Sequence, residues 1–248
     1  MANTYVISPS WVTDVQQTAF GVLTKGDNSS IGSDLSSGWR SVADLINRNV
    51  TSSKLFSTDI ISTYTLVSTN ASGAYSGGVL SPNGDVHMIP YNSNSGQKIT
   101  LTTLVVSTYA LVYTTVNAYQ GGVLAPNGDI NMIPHNATVG QKINSSGVVS
   151  TYSLVYTTTN VYQGGVLAPN GDIHFCPMGA AVGQKINSSG VVSTYSLVYT
   201  TTTDYAYQGG VLSPSGEVHF VPRSAPVGQK ISSAGVVSTY SLVYTVSQ

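Results

Sequence analysis

The chain has 248 residues, a formal net charge of −1, and charged side chains at 8% of its positions. Nine Lys and Arg against ten Asp and Glu leave no basic surface for nucleic acid or for an anionic membrane. No apolar run reaches the roughly 20 residues of a spanning helix, no secretory signal is expected at the start, and the single cysteine excludes internal disulfides. The 35 Ser, 27 Thr, 25 Gly and 16 Tyr favour β-structure over helix.

The first 55 residues differ in pattern from the rest of the chain. Ser10 predicts the cap of a helix from Trp11 to about Leu23, and a second short apolar stripe includes Trp39. Both tryptophans of the chain lie in this segment. Large apolar side chains in a small module need a surface to cover. Residues 1–55 are therefore predicted either to cap the region that follows or to dock the protein onto a larger assembly.

Residues 56–248 are built from internal repeats. The segment STYSLVYT, or a close variant, begins at Ser62, Ser107, Ser150, Ser193 and Ser238. Between consecutive copies lie the block GGVL[AS]P[NS]G[DE][VI] and then the block GQKI. Four units of about 44 residues are thus followed by one further copy of STYSLVYT.

Each unit is expected to form four short strands, of the types VVSTYSLVYT, YQGGVLAP, DIHFVP and GQKI, where DIHFVP stands for the copies DVHMIP, DINMIP, DIHFCP and EVHFVP. Asn-Gly in PNGD predicts a tight turn, and the proline of DIHFVP ends its strand. Alternation places Ile173 and Phe175 on one side of that strand, with His174 and Cys176 on the other. Four antiparallel strands in about 40–50 residues is the spacing of a β-propeller blade.

The GGVL[AS]PNG[DE][VI] block resembles the propeller-type repeats of kelch-like bacterial and phage proteins, over roughly residues 57–248. We expect an all-β, propeller-like domain at residues 56–248, with four four-stranded units and an extra C-terminal strand, behind an N-terminal module with some helix. Since Val236–Thr245 and Ile60–Thr69 repeat the same strand, both cannot occupy one position in a four-blade ring. Val236–Thr245 is predicted to be paired, and the extra copy either closes the ring or joins another chain.

Each unit carries one acid and one lysine that are 13 residues apart. The acids are Asp85, Asp129, Asp172 and Glu217, and the lysines are Lys98, Lys142, Lys185 and Lys230. This spacing fits adjacent strands of one sheet and favours a structural ion pair over a metal or catalytic ligand. Catalysis normally uses one asymmetric cluster and not an identical group in every unit.

One position of the DIHFVP strand holds His87, Asn131, His174 and His219 in the four units. Three histidines would suit zinc, but asparagine is a poor zinc ligand, so a hydrogen-bonding role is predicted. Cys176 aligns with Ile89, Ile133 and Val221, which predicts a small buried hydrophobe and not a nucleophile. The sequence contains no serine nucleophile elbow, phosphate loop or dinucleotide fingerprint. No catalytic residue, cofactor or metal site is therefore predicted.

The residue after each strand-ending proline varies between units whose flanking blocks barely change. It is Tyr91, His135, Met178 and Arg223 in turn. Such a range of size and charge predicts exposed loop tips on one edge of the ring, either through drift or as a surface diversified for contact. With Trp11 and Trp39, these four residues are the candidate partner contacts.

The sequence therefore predicts a protein without enzymatic activity. The composition and the resemblance imply a bacteriophage virion structural protein of head-decoration, tail or fibre type, which mediates assembly or adhesion. Its expected partners are other virion proteins or a cell-surface receptor or glycan, with no nucleic acid, no membrane span and a possible homo-oligomer. It would be made in the host cytoplasm and located in the virion. The alternative is a carbohydrate-binding β-propeller lectin, in which tyrosines and backbone amides of each blade form repeated sugar sites.

Overall fold

The structure is a computed structural model that describes residues 64–67, 72–201 and 205–243. Within these residues the chain forms 16 strands and no helix. The strands make four antiparallel four-stranded sheets, here named A to D in chain order. The all-β, propeller-like repeat architecture predicted from the repeats is confirmed. The predicted N-terminal module of residues 1–55 lies outside the described residues.

Each sheet is a meander whose strands pair in sequence order. Sheet A contains β1 (Tyr75–Leu80), β2 (Asp85–Pro90), β3 (Ser95–Thr100) and β4 (Val105–Ala110). Sheet B contains β5 (Tyr119–Leu124), β6 (Ile130–Pro134), β7 (Val139–Ile143) and β8 (Val149–Ser153). Sheet C contains β9 (Tyr162–Leu167), β10 (Ile173–Pro177), β11 (Gly183–Ile186) and β12 (Val192–Tyr195). Sheet D contains β13 (Tyr207–Leu212), β14 (Val218–Pro222), β15 (Val227–Ile231) and β16 (Val237–Ser241).

The double glycine of each repeat bends the first strand of its sheet. In sheet B, Gly121 has a φ of +80°, and the pairing of β5 with β6 shifts register between Tyr119 and Gly122. A Cβ atom at Gly121 would lie 3.1 Å from the Cα atom of Gly164 in the next sheet. Glycine therefore supplies both the left-handed backbone of the bulge and the close approach of consecutive first strands.

Consecutive sheets pack against each other through their first strands, β1 on β5, β5 on β9 and β9 on β13. We call these three contacts the AB, BC and CD joints, and each contains one cluster of the hydrophobic core. In the CD joint, for example, Val166 and Cys176 of sheet C pack with Tyr207 and Phe220 of sheet D. No comparable packing joins β13 back to β1 in the described part of the chain. The four sheets are therefore an open series.

The STYSLVYT block serves two sheets. Its first half forms the fourth strand, and its second half crosses to the next sheet. At the BC joint the backbone N–H groups of Val155 and Tyr156 donate to Oε1 of Gln184, at 3.0 and 2.8 Å. Gln184 is fully buried. Gln141 and Gln229 accept the equivalent bonds at the other two joints.

The two competing copies of this block occupy different places. The C-terminal copy forms β16, which pairs with β15 from Val227↔Ser241 to Ile231↔Val237, so its predicted pairing is confirmed. The sequence predicts an extra strand here, but β16 is the fourth strand of sheet D. In the N-terminal copy, the described residues 64–67 form no strand, and the Val67 N–H donates to Gln97 Oε1 at 2.9 Å. Residues 64–67 therefore reach sheet A as Val155 and Tyr156 reach sheet C, and lie outside the four sheets.

Candidate functional site

An ion pair links the second and third strands of every sheet. The lysine Nζ lies 2.5 Å from the carboxylate in Lys98–Asp85, 2.6 Å in Lys142–Asp129 and Lys185–Asp172, and 2.7 Å in Lys230–Glu217. The predicted pairing is confirmed at all four positions. The hydrogen bond from Lys98 lowers the pKa of the Asp85 carboxyl, and the bond from Lys230 does the same for Glu217.

A histidine and a tyrosine meet beside the ion pair in three of the sheets. The Nδ1 atom of His174 lies 3.3 Å from the Tyr195 hydroxyl, and the equivalent distances for His87–Tyr109 and His219–Tyr240 are 3.4 Å. Burial, with a smaller effect from Lys185, lowers the pKa of His174 to about 4. The imidazole is therefore neutral at pH 7, and the predicted hydrogen-bonding role of this position is confirmed for the histidines.

Sheet B lacks this pair because Asn131 stands at the histidine position. The hydroxyl of Tyr152 is buried and has no hydrogen-bond partner among the described residues. Burial also raises the pKa of Tyr152, so the hydroxyl stays protonated. A buried hydroxyl without a partner costs free energy, so sheet B has an unfilled polar position beside its ion pair among the described residues.

These polar groups line two clefts at equivalent places in the BC and CD joints. The BC cleft, of about 140 Å³, contains Asp129, Asn131, Lys142 and Tyr152 opposite residues 187–190. The CD cleft, of about 220 Å³, contains Asp172, His174, Lys185 and Tyr195 opposite residues 232–235. Each cleft combines a carboxylate, an ammonium group and a phenol with the hydroxyls and backbone of a serine-containing turn. This donor and acceptor set suits a small hydroxylated ligand.

The described residues place the single cysteine in the hydrophobic core and bring no set of metal ligands together. Cys176 is fully buried, and burial raises the pKa of its thiol, so its interpretation as a small buried hydrophobe is confirmed. Within the described ranges, no group of three His, Cys, Asp or Glu side chains could hold a metal ion. The described residues also include no helix that is long and apolar enough to cross a membrane.

The four variable residues after the prolines are not all exposed tips. Arg223 is exposed and Tyr91 is half-buried, whereas His135 and Met178 are only 4% and 1% exposed. The expected exposure of His135 and Met178 is therefore wrong. The next repeat contacts both residues: His135 Nδ1 lies 3.2 Å from the Tyr162 carbonyl oxygen, and the Ala206 N–H donates to the Met178 carbonyl oxygen at 2.7 Å.

Two of the variable residues also meet across the AB joint. The ring centres of Tyr91 and His135 lie 5.8 Å apart. Arg223 has no fifth sheet over it among the described residues, and its guanidinium lies 4.4 Å from the ring centre of Tyr205. Trp11 and Trp39 lie outside the described residues.

Sequence reasoning missed the glutamines that tie consecutive sheets together. They are Gln97, Gln141, Gln184 and Gln229, each fully buried. The signal was available, since every GQKI copy keeps a glutamine next to the lysine of the ion pair in a short strand. A neutral polar side chain repeated at a buried strand position indicates a hydrogen bond to backbone.

No protein-family model and no curated protein matches this chain. Solved structures do resemble it. Virginiamycin B lyase from Staphylococcus aureus is 19% identical, with a TM-score of 0.60, over 71% of this chain and 58% of that chain. A streptogramin B lyase is 19% identical, with a TM-score of 0.61, over 72% and 57%. Kuenenia stuttgartiensis hydrazine synthase is 14% identical, with a TM-score of 0.51, over 73% and 53%.

These comparisons correct one expectation from the sequence. The prediction of a protein without enzymatic activity is contradicted, because two of the neighbours are lyases. Repeated blades do not exclude catalysis, since activity depends on side chains placed on a fold and not on the fold itself. At these identities the likeness shows the fold alone, and the chain spans 58% and 57% of the length of the two lyases.

Proposed function

We propose that this chain is a structural component of a bacteriophage virion, acting in assembly or adhesion. The observation that carries the proposal is the apolar face at the end of the series of sheets. On that face Val211 and Val221 are 56% and 44% exposed, and no described residue covers them. An uncovered apolar sheet face indicates an interaction surface. The resemblance of the repeats to those of phage proteins supplies the virion context.

The polar groups of the sheets support the same proposal. The four ion pairs and the three His–Tyr pairs are each satisfied within one sheet. Their repetition stabilises each blade and leaves the sheet faces and loops for contacts. Within the proposal, residues 1–55 attach the protein to its assembly through Trp11 and Trp39, and the exposed Arg223 contributes to a recognition surface.

Particle association tests the proposal. Virus particles would be purified on a density gradient from the source of the gene, and the chain quantified in each fraction by mass spectrometry. We expect it to sediment with the particles at a fixed ratio to the major capsid protein, and its confinement to the soluble fractions contradicts the proposal. A Trp11→Ala, Trp39→Ala variant is expected to fold but to lose incorporation, whereas the control variant Thr159→Ala should incorporate normally.

A second candidate function, carbohydrate binding, is favoured by the BC and CD clefts. Their equivalent polar groups and serine-containing turns would give two related sugar sites on one chain. Repeated sites of this kind increase the avidity for a multivalent glycan surface.

A glycan array with the full chain tests this second function. Ser189 and Ala234 are exposed and line the BC and CD clefts, so tryptophan at both positions narrows the clefts without altering a strand. Sugar binding that the Ser189→Trp, Ala234→Trp variant loses, and that the surface control Thr159→Trp keeps, supports the lectin function. Absence of binding by the unaltered chain contradicts it.

A further inference from the structure

The three joints share one contact, in which two apolar side chains of one sheet meet a glycine of the next. In the CD joint a Cβ atom at Gly210 would lie 2.9 Å from Val166 Cγ2 and 3.1 Å from Cys176 Sγ. In the BC joint the same position at Gly165 would lie 2.8 Å from Ile133 Cδ1. The second glycine of each repeat is therefore the receiving surface for the preceding sheet.

Sheet D presents the donating half of this contact, and no described residue covers it. Val211 and Val221 stand at the positions of Val166 and Cys176 in the repeat. Val166 is 6% exposed and Cys176 is completely buried, whereas Val211 and Val221 are 56% and 44% exposed. We call this surface, Val211 and Val221, the trailing face.

Sheet A presents the receiving half, and no described sheet packs on it. Among the described residues, a Cβ atom at Gly78 would meet only atoms of its own sheet, His87 O and Val86 Cγ1, both at 3.5 Å. Val86 and Met88 are half-buried, while the equivalent residues of the next sheet, Ile130 and Met132, are fully buried. We call Gly78, Val86 and Met88 the leading face.

We propose that the trailing face of one chain packs on the leading face of a second copy, so that two chains form a closed head-to-tail pair. The chain already makes this joint three times with the same residue positions, and it carries both unused halves. Two joints between the copies would repeat an interface that exists three times within each copy. Two four-sheet series give eight sheets, which lies within the range of about four to eight blades in closed propellers. In the closed pair a two-fold axis relates the two new joints, so both faces of each chain are covered, whereas contacts that did not close would build an open filament.

The buried glutamine of sheet A limits which hydrogen bonds a second copy can add to the joint. Gln97 of sheet A already accepts a hydrogen bond from the Val67 N–H of its own chain. The segment after β16 of the partner therefore has no free place on Gln97 while residues 64–67 remain there. The apolar faces carry the joint between copies, and the glutamine tie at that joint stays within one chain. The pair would cover the face of Val211 and Val221 that also carries the virion proposal, and the molar mass of the isolated chain tests the pair separately from particle association.

Molar mass in solution tests the pair. The full chain has a mass of 25.9 kDa, and light scattering after gel filtration is expected to give twice that value. Val211→Asp and Val221→Asp place a carboxylate in the joint, and each should raise the dissociation constant roughly 30-fold or more. Gly78→Val, on the opposite half of the joint, should have the same effect.

Val148→Asp is the matched control. Val148 is 57% exposed, as Val211 is, but it lies in the turn before β8, where the equivalent Val191 and Val236 are exposed as well. This variant should remain a pair, and circular dichroism should show that all variants keep the β-sheet signal. A chain that stays monomeric at every concentration overturns the proposal, whatever the reason that its two faces do not pair. Equal weakening by Val148→Asp, or growth into larger assemblies, also overturns it.

Discussion

Sheets C and D have almost the same sequence and very different surroundings. Their first strands, β9 and β13, are both YQGGVL. Val166 of β9 is nevertheless 6% exposed, whereas Val211 of β13 is 56% exposed. The same contrast separates the ion pairs, since the side chain of Asp172 is 8% exposed and that of Glu217 is 26% exposed.

The difference shows that the strand and the core are specified at two levels. The turn, the bulge and the strand-ending proline are local, so identical segments form identical strands in both sheets. Burial belongs to the joint, because a valine becomes core only when the glycine of a following sheet receives it. The energetic effect of a substitution should therefore depend on whether its joint is formed.

The largest effect is expected when a receiving glycine is filled inside the series. Gly165→Val places a side chain against Ile133 and Val123 and within 3.2 Å of the His174 carbonyl oxygen. It should lower the free energy of unfolding by about 3 kcal/mol or more, because a packed joint cannot widen without losing contacts. Urea denaturation measures the change.

Gly78→Val is the matched variant on the leading face. Its neighbours lie 3.5 Å away in its own sheet, so the free energy of unfolding should change little when measured on the monomer. Equal destabilisation by Gly165→Val and Gly78→Val would contradict the idea that the loss of unfolding free energy depends on packing at the joint and not on the strand itself.

Acid should destabilise the fold through its buried histidines. The pKa of His174 is about 4 in the folded chain and about 6.5 when unfolded. Between pH 6.5 and about 4, His174 binds a proton in the unfolded chain but not in the folded chain. The free energy of unfolding therefore falls as the pH is lowered to about 4 and then levels off. The charged and titratable groups around His174 include Lys185, Asp172 and Tyr195. The free energy of unfolding should fall by about 3 kcal/mol in total, since each unit of pKa difference corresponds to about 1.4 kcal/mol.

His174→Asn isolates this contribution, since asparagine already occupies the same position in sheet B. Urea midpoints between pH 7 and 4 should fall less steeply in the variant than in the unaltered chain. Some slope should remain, because burial also lowers the pKa of His87 and His135. Parallel curves for both proteins are the result that would refute the assignment.

The ion pairs should differ between the two sheets in the same direction. Asp172→Asn removes a buried carboxylate from Lys185, whose side chain is 31% exposed, and should cost about 1–2 kcal/mol in urea. Glu217→Gln in sheet D should cost less, because solvent replaces the lost interaction. A larger loss for Glu217→Gln would reverse the order that burial predicts.

The smallest expected effect is a gain. Asn131→His should supply the missing partner of the Tyr152 hydroxyl and raise the free energy of unfolding by about 1 kcal/mol. Thermal unfolding of this variant, compared with the exposed control Thr159→His, separates a gain from the new hydrogen bond from a general effect of adding histidine. A rise shared by the control, or no rise in Asn131→His, would show that the Tyr152 hydroxyl is satisfied in another way.

Much of the fold could be predicted from repeats because its determinants are short-range. The PNGD turn, the alternation of Ile173 and His174, and the 13-residue acid–lysine spacing each specify neighbouring strands. The pairing of β16 followed from its identity with the earlier copies.

The joints could not be predicted in the same way, since each one brings together residues of different repeats. His135 and Met178 vary like surface residues, yet each is buried and contacts the following repeat. Variation between repeats does not distinguish an exposed position from one that a changing neighbour accommodates. The uncovered faces of sheets A and D are invisible in the sequence, because Val211 and Gly78 belong to blocks that are buried in the other units.

Disulfide formation between two variants, each with one added cysteine, tests the head-to-tail pair most directly. In the CD joint a Cβ atom at Gly210 would lie 3.1 Å from Cys176 Sγ, so cysteines at positions 78 and 221 should be close enough to bond across two copies. A mixture of the Gly78→Cys and Val221→Cys proteins, oxidised and run without reductant, should give a band of twice the chain mass. Neither protein alone should give this band. The account is contradicted if the mixture stays monomeric while both proteins retain the β-sheet signal.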